Sequence, residues 1–277
     1  MSAGSITLTS SISQNLSSLK ATQELMDQTS YRLTTGKKVN SALDDPINYF
    51  AADDNTSKAG DLEDLKDGMS EGIETITTAT TGIDSLSDLI DTAKALAKSA
   101  LSADTSAEVA TYITQFNAVL DEIDAVADDS IYSGINLLMG DDLEISIGEE
   151  ASDKITVNGT NCDTTGLGLA QITDDWWDTS SADSTAINSV MVTLDTAKST
   201  LRSNAKSLSS QLNIVTNRED FTESMISILK EGAGNLVNAD TTEEGVNLTT
   251  LQTQQSLGIQ SLSIASSASQ AVLNLFG

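Results

Sequence analysis

The sequence predicts a mainly α protein, a long antiparallel helical bundle with paired terminal coiled-coil helices and a small β-hairpin region. Three observations lead there. Pro46 is the only proline among 277 residues, and because proline removes a backbone donor and breaks helix interiors, helices of tens of residues have room to form. Aromatic residues make up 4% of the chain, whereas wide cores use Phe, Tyr and Trp to fill volume that slender bundles lack. Over most of the length, apolar residues recur at steps of three and four, the period of one helix face.

Each element follows from that spacing. Ile12, Leu16, Leu19, Met26 and Leu33 step by four and three, with Gln23 and Ser30 in the two missing places, a heptad seam diluted with polar residues. The seam stops before Gly36, which suits a helix C-terminal cap. A connection over 37–46 ends at Pro46, where a new helix can begin. Across 49–101 one stripe persists, including Leu62, Met69, Ile76, Ile83, Ile90 and Ala97, and a helix of that length spans roughly 80 Å. Gly68, Gly72 and Gly82 weaken it, each by about 1 kcal/mol relative to alanine where exposed. After a turn near Ser102, a second seam runs through Val109, Ile113, Phe116, Leu120, Ile123 and Ala127.

The pattern changes over 140–182. Leu143, Ile145 and Ile147 alternate with Glu144 and Ser146, a turn follows, and Ile155 and Val157 alternate again, which reads as a β-hairpin. The stretches 158–168 and 173–183 read as surface loops. In the second of these, Trp176 and Trp177 either pack on the hairpin or form a ligand platform. A third long helix is expected over 184–231, interrupted by Gly232 and Gly234. Last come Leu248, Leu251, Gln255, Gly258, Leu262, Ala265, Ser269, Val272 and Phe276, a seam as diluted as the first. The expected domains are 1–44 with 236–277, a terminal-helix pair; 45–139 with 183–235, a long-helix bundle; and 140–182, a small hairpin and loops.

Composition narrows function. With no histidine, the side chain most used for acid/base work near neutral pH and for binding transition metals is missing. Cys162 is the single cysteine, so neither an internal disulfide nor a multi-cysteine metal site can form. Asp44-Asp45, Asp53-Asp54, Asp128-Asp129, Asp141-Asp142 and Asp174-Asp175 are carboxylate pairs, but glycosidase carboxylates face each other across a cleft and neighbours in sequence diverge. They read as solvated surface, without the full spacing of a calcium loop. No catalytic residue, cofactor or metal is expected. The first residues lack a basic start and continuous apolar run, so no cleaved secretory signal is expected.

A net charge of −27 argues against nucleic acid or an anionic membrane as partner. Residues 1–43 carry a net +2 and residues 245–277 no charge at all, so the interval 44–244 holds −29. Close packing of many copies with neutral ends inside and an acidic shell outside is one reading of this asymmetry. An ordinary acidic surface with a neutral tail is the other. The terminal seams themselves bury little apolar area, while ordering each residue costs about 1–2 kcal/mol, so the two end helices are expected to fold by pairing with each other and with neighbouring copies.

Specific residues sharpen this. The run Arg32-Leu33-Thr34-Thr35-Gly36-Lys37-Lys38-Val39-Asn40-Ser41-Ala42-Leu43-Asp44-Asp45-Pro46 resembles the flagellin pattern R-L-S-S-G-L-R-I-N-S-A-K-D-D. At the other end, Ala239-Asp240, Glu244, Asn247, Gln252, Gln255, Gly258, Leu262, Ala265, Gln270 and Val272-Leu273-Asn274-Leu275-Phe276 are similar to the flagellin ending. Ile131-Tyr132-Ser133-Gly134-Ile135-Asn136-Leu137-Leu138 resembles the family element Q-F-N-G-V-K-L-L.

The resemblance implies a filament subunit with a minimal outer region. It would be exported unfolded through the flagellar type III apparatus, folded on assembly and located in the extracellular flagellum, with no enzymatic activity. Expected partners are further copies of the chain, flagellar cap and junction proteins and an export chaperone. The resemblance places Ile12, Leu16, Leu19, Met26, Leu33, Leu248, Leu251, Leu262, Val272 and Phe276 at the assembly interface, and Gly36, Asn40, Asp44 and Asp45 at the joint between layers. Thr92-Ala93-Lys94-Ala95-Leu96-Ala97 stands where some flagellins have R-V-R-E-L-A, the stretch innate immune receptors read. The competing readings are a hook–filament junction protein and a secreted helical adhesion or binding module.

Overall fold

The structure is a computed structural model that describes residues 10–148, 150, 152–173, 176–178 and 180–276, apart from the side chains of 10, 11, 269 and 272–276. Five helices dominate: α1 (Ser10–Thr35), α2 (Pro46–Leu101), α3 (Ser106–Asp129), α4 (Ser184–Val237) and α5 (Thr241–Phe276). Between α3 and α4 lie strands β1 (Leu143–Ser146) and β2 (Lys154–Val157), an antiparallel hairpin in which Leu143 faces Val157 and Ile145 faces Ile155. A second, two-residue ladder joins β3 (Trp177–Asp178) to β4 (Ser181–Ala182).

Helices α2, α3, α4 and α5 begin where a side chain satisfies their first free N–H groups, which would otherwise have no intrahelical partner. Asp45 precedes Pro46 and accepts from the Asn48 N–H at 3.1 Å. Thr105 accepts from the Glu108 N–H at 3.3 Å, Asp183 from Thr185 at 2.9 Å and Ala186 at 3.1 Å, and Asp240 from Thr242 at 2.8 Å. Pro46 opens α2 as its position in the sequence suggests, while counting apolar residues places the start of α3 at Val109 and that of α5 at Leu248, both late.

Three expectations change. First, α4 runs through Gly232 and Gly234 to Val237. Two glycines cost a helix about 2 kcal/mol together, and here burial of Ala233 and bonds from the Lys38 and Val39 N–H groups to the Val237 carbonyl, 2.7 and 3.2 Å, hold the segment. Second, the stretch 158–168 buries Cys162 and Leu167 instead of forming a solvent loop. Its polar residues turn to backbone and to α3: Thr160 and Cys162 donate to the Leu137 and Leu138 carbonyls at 2.8 and 2.7 Å, while Asp124 accepts from the Thr164 N–H at 2.7 Å and its hydroxyl at 3.0 Å. Third, the ring partner of Trp176 is Phe116 on α3, centroids 5.1 Å apart and edge to face, while Trp177 forms part of β3.

The chain divides into two compact units, Ala59–Ser227 and a second made of Met1–Lys58 with Ile228–Gly277. In the first, the core is Met69, Ile76, Ile83, Leu86 and Ile90 of α2, Phe116, Leu120 and Ile123 of α3, Ile187, Leu194 and Leu201 of α4, and Ile145 and Val157 of the hairpin. The 140–182 segment thus packs into the helical core. α2 and α4 run antiparallel in one register: Lys66 pairs with Glu223 at 3.5 Å, the Ser70 hydroxyl donates to Glu219 at 2.6 Å, Asp91 pairs with Lys198, and Lys94 with Asp195.

Gly72 and Gly82 have a use the sequence does not display. A Cβ at Gly72 would overlap Ile145 of the hairpin, and one at Gly82 would overlap Ser130 and Leu138. These glycines are the seats on which the connecting segment rests. Asn136 fixes that segment from inside, donating to the Ala127 and Asp128 carbonyls at 2.8 and 2.9 Å and accepting from the Leu138 N–H at 3.0 Å. The close of α3 and the start of the connection are thereby one hydrogen-bonded structure.

Candidate assembly interface

Within the terminal unit, α1 and α5 lie antiparallel, since partners rise along α5 as they fall along α1. Arg32 pairs with Glu244 at 3.4 Å, Gln255 donates to Gln23, and Leu19 sits at Gly258, where a Cβ would stand 3.0 Å from the leucine Cδ2. The seam on α5 is Glu244, Leu248, Leu251, Gln255, Gly258, Leu262 and Ala265, all at least partly buried, in an unbroken four–three alternation. On α1 it is Ile12, Asn15, Leu19, Thr22, Met26, Thr29 and Leu33.

The α1 seam differs from the expected one. Ile12, Leu19, Met26 and Leu33 lie on it, but Leu16 is 39% exposed and Ser30 points outward, while Thr29 is buried. Two heptad alternations share the four apolar positions, and the exposed leucine draws the sequence reading onto the wrong one. Leu248, Leu251 and Leu262 are partly buried on the seam. Val272 and Phe276 belong to α5, and their side chains lie outside the described residues.

Spacings of eleven and seven residues, three turns and two, give α5 a second stripe on its outward side. Val246, Leu257 and Ile264 are each more than half exposed, and Leu25 and Tyr31 of α1 are likewise in solvent. Aliphatic side chains on both sides of one thin helix leave the outward ones wet in a single chain.

The joint between α1 and α2 is built by its polar residues. Gly36 takes φ +69°, the left-handed conformation glycine adopts without strain, and its N–H donates to the Arg32 carbonyl at 2.8 Å, closing α1. The chain then pairs with the α4–α5 connection: Lys37 bridges Asn238, the Ala239 N–H donates to the Gly36 carbonyl at 2.9 Å, and Lys38 Nζ donates to the Asn235 carbonyl at 3.2 Å. Asn40 Nδ2 donates back to the Lys37 carbonyl at 3.0 Å. One carboxylate oxygen of Asp44 accepts from the Asn40 and Ser41 N–H groups, both at 3.0 Å, tying the turn.

These bonds hold Asp44 below its ordinary carboxylate pKa, chiefly through the Asn40 and Ser41 backbone N–H groups. Asp45 is held low by the Asn48 backbone N–H and its side-chain amide, and Asp240 by the Thr242 and Glu243 N–H groups. Asp44 and Asp45 therefore do separate jobs, one in the turn and one at the start of α2. Around them Leu43, Ile47 and Phe50 stand in solvent, Leu43 at 96% exposure.

The arrangement is one of surfaces. Among the described residues no group of three or more His, Cys, Asp or Glu side chains is placed to hold a metal ion, and no described helix is long and apolar enough to cross a membrane. The Cys162 thiol is buried, which pushes its pKa up.

Comparison with known proteins finds relatives over nearly the whole chain. The family model for the bacterial flagellin N-terminal helical region matches residues 6–142, and that for the bacterial flagellin C-terminal helical region matches residues 184–276. Flagellin FljM of Caulobacter vibrioides is 31% identical over 94% of this chain and 94% of its own length. A flagellin of Brucella melitensis is 29% identical over 98% of this chain and 99% of its own. With both ends matched in order and the relatives aligned nearly end to end, the chain belongs to the bacterial flagellin family.

Proposed function

We infer that this flagellin, a structural subunit of the bacterial flagellar filament, enters its polymer through α1 and α5, which meet each other on one face and neighbouring copies on the other. The observation that carries this is the outward α5 stripe of Val246, Leu257 and Ile264. Covering three such side chains stabilises by about 5 kcal/mol before the entropy of ordering is subtracted. The inner seam, diluted by Asn15, Thr22, Thr29, Gln255 and Gly258, has little to spare. Folding and incorporation are then coupled, which suits a chain exported unfolded.

In this reading the terminal-helix domain is 1–44 with 236–277, the long-helix bundle is 45–139 with 183–235, and 140–182 is a minimal variable region. Ile12, Leu19, Met26, Leu33, Leu248, Leu251 and Leu262 close the helix pair. Leu16, exposed on α1, is available to a second copy, and Val272 and Phe276 extend the contact at the end of α5. Gly36, Asn40, Asp44 and Asp45 set the joint. Copies of the chain are the main partners, with flagellar cap and junction proteins and an export chaperone at the ends of its path. The role is mechanical, not catalytic.

The test is the triple variant Val246→Ser, Leu257→Ser and Ile264→Ser. It should keep the monomer's helix content by circular dichroism yet fail to pellet as filaments when seeded. Filaments at wild-type yield would contradict the reading.

A further inference from the structure

Within Ala59–Ser227, the outward face of α4 changes character along the helix. Ser203, Ser207 and Ser210 give way to Ile214, Phe221 and Met225, spaced seven and four apart and exposed, Phe221 at 58%. Leu194, Leu201, Leu208 and Val215 fill the buried side of the same helix. An exposed apolar ridge of this kind marks a protein contact.

Charge identifies the partner. From 184 to 227, four basic and four acidic side chains balance, whereas 59–101 of α2 holds three against nine and α3 has six acidic and no basic ones. The pairs with α2 occupy Lys198, Asp195 and Glu223, and Glu219 is bonded to Ser70. What α4 leaves in solvent is Arg202, Lys206 and Arg218, all exposed and, among the described residues, none within ion-pair distance of a carboxylate. α2 leaves the exposed carboxylates Asp67, Glu74 and Asp88. In a chain of net charge −27, two acidic faces brought together repel, so close packing of copies favours a cationic face meeting an acidic one.

We propose that the outward face of α4 docks on the acidic face of α2 of a second copy of this chain. Ile214, Phe221 and Met225 form the centre of the contact, and Arg202, Lys206 and Arg218 lie at its rim against Asp67, Glu74 and Asp88. Because two different faces meet, every copy still offers one of each, and the contact propagates along a polymer instead of closing a dimer. The proposal rests on the filament reading but concerns a surface separate from the terminal helices.

The experiment measures the critical concentration of the full chain, seeded with sheared filaments, by sedimentation. The variant R202E/K206E/R218E should raise it about tenfold, D67K/E74K/D88K should do the same, and the two sets combined should return it close to wild type, as expected of groups that act on each other. Circular dichroism of each monomer checks its fold, and the combined variant shows that neither set acts by unfolding. Wild-type polymer with an unaffected α4 variant overturns this contact and leaves the terminal-helix reading standing. Failure of the combined variant to recover overturns α2 as the partner, and a wild-type chain that stays monomeric under seeding overturns both readings.

Discussion

Asp44, Asp45 and Asp240 each accept backbone N–H bonds at the start of a turn or helix, and each is held below its ordinary pKa. A depressed folded-state pKa contributes stability that is complete above the unfolded value, about 3.9 for aspartate, and is lost as pH falls through the lower, folded value. The joint and the start of α5 should therefore loosen only below about pH 4. Circular dichroism of the wild type as pH falls should show a loss of helix there, and D44N/D45N/D240N should reduce that dependence. A loss of helix already at pH 6, unchanged in the variant, would contradict the assignment. Glycines give a second prediction at this scale. Gly68→Ala meets nothing within 4 Å and should stabilise by up to about 1 kcal/mol. Gly72→Val must displace Ile145 and should cost about 1–3 kcal/mol. Denaturant unfolding of the monomer separates the two signs, which sequence alone could not, because both positions read simply as glycines within a helix.

At the scale of elements, periodicity made most of the fold legible. The four-and-three spacing located all five helices, and strict alternation located β1 and β2. What it could not supply was any contact between distant segments. The α2–α4 register rests on Lys66–Glu223, Ser70–Glu219, Asp91–Lys198 and Lys94–Asp195, where each step along α2 is matched by an equal step back along α4. In sequence these are scattered charges. The 158–168 stretch misled for a related reason: its Asn, Gly and Thr residues look solvated, but Asp124 and the Leu137 and Leu138 carbonyls give their polar groups partners and let Cys162 and Leu167 go inside. Leu16 misled in the other direction, because an apolar residue next to a seam resembles one on it. A double-mutant cycle on Asp91 and Lys198 tests the register. Each reversal, Asp91→Lys or Lys198→Asp, should cost up to about 1 kcal/mol, and the double reversal should recover part of it; additive losses would mean the pair is not coupled in solution.

For the whole molecule, charge and apolar surface are divided among the helices so that each copy has faces suited to other copies. The terminal unit offers Val246, Leu257 and Ile264 on α5 with Leu25 and Tyr31 on α1. The unit Ala59–Ser227 carries its acidic residues mainly on α2, α3 and the connecting segment, and its balanced charge on α4. The dilution of the α5 seam was readable from Gln255 and Gly258, and it supports the proposed coupling of folding to assembly. The outward α5 stripe was not separable from the inner one until the partner face was known. Sedimentation and negative-stain microscopy of the purified full-length chain beside a version lacking residues 245–277, both seeded with sheared filaments, test this most directly. Filaments from the first and soluble monomer from the second are the predicted result; filaments from the shortened chain at wild-type yield would contradict assembly through the terminal helices.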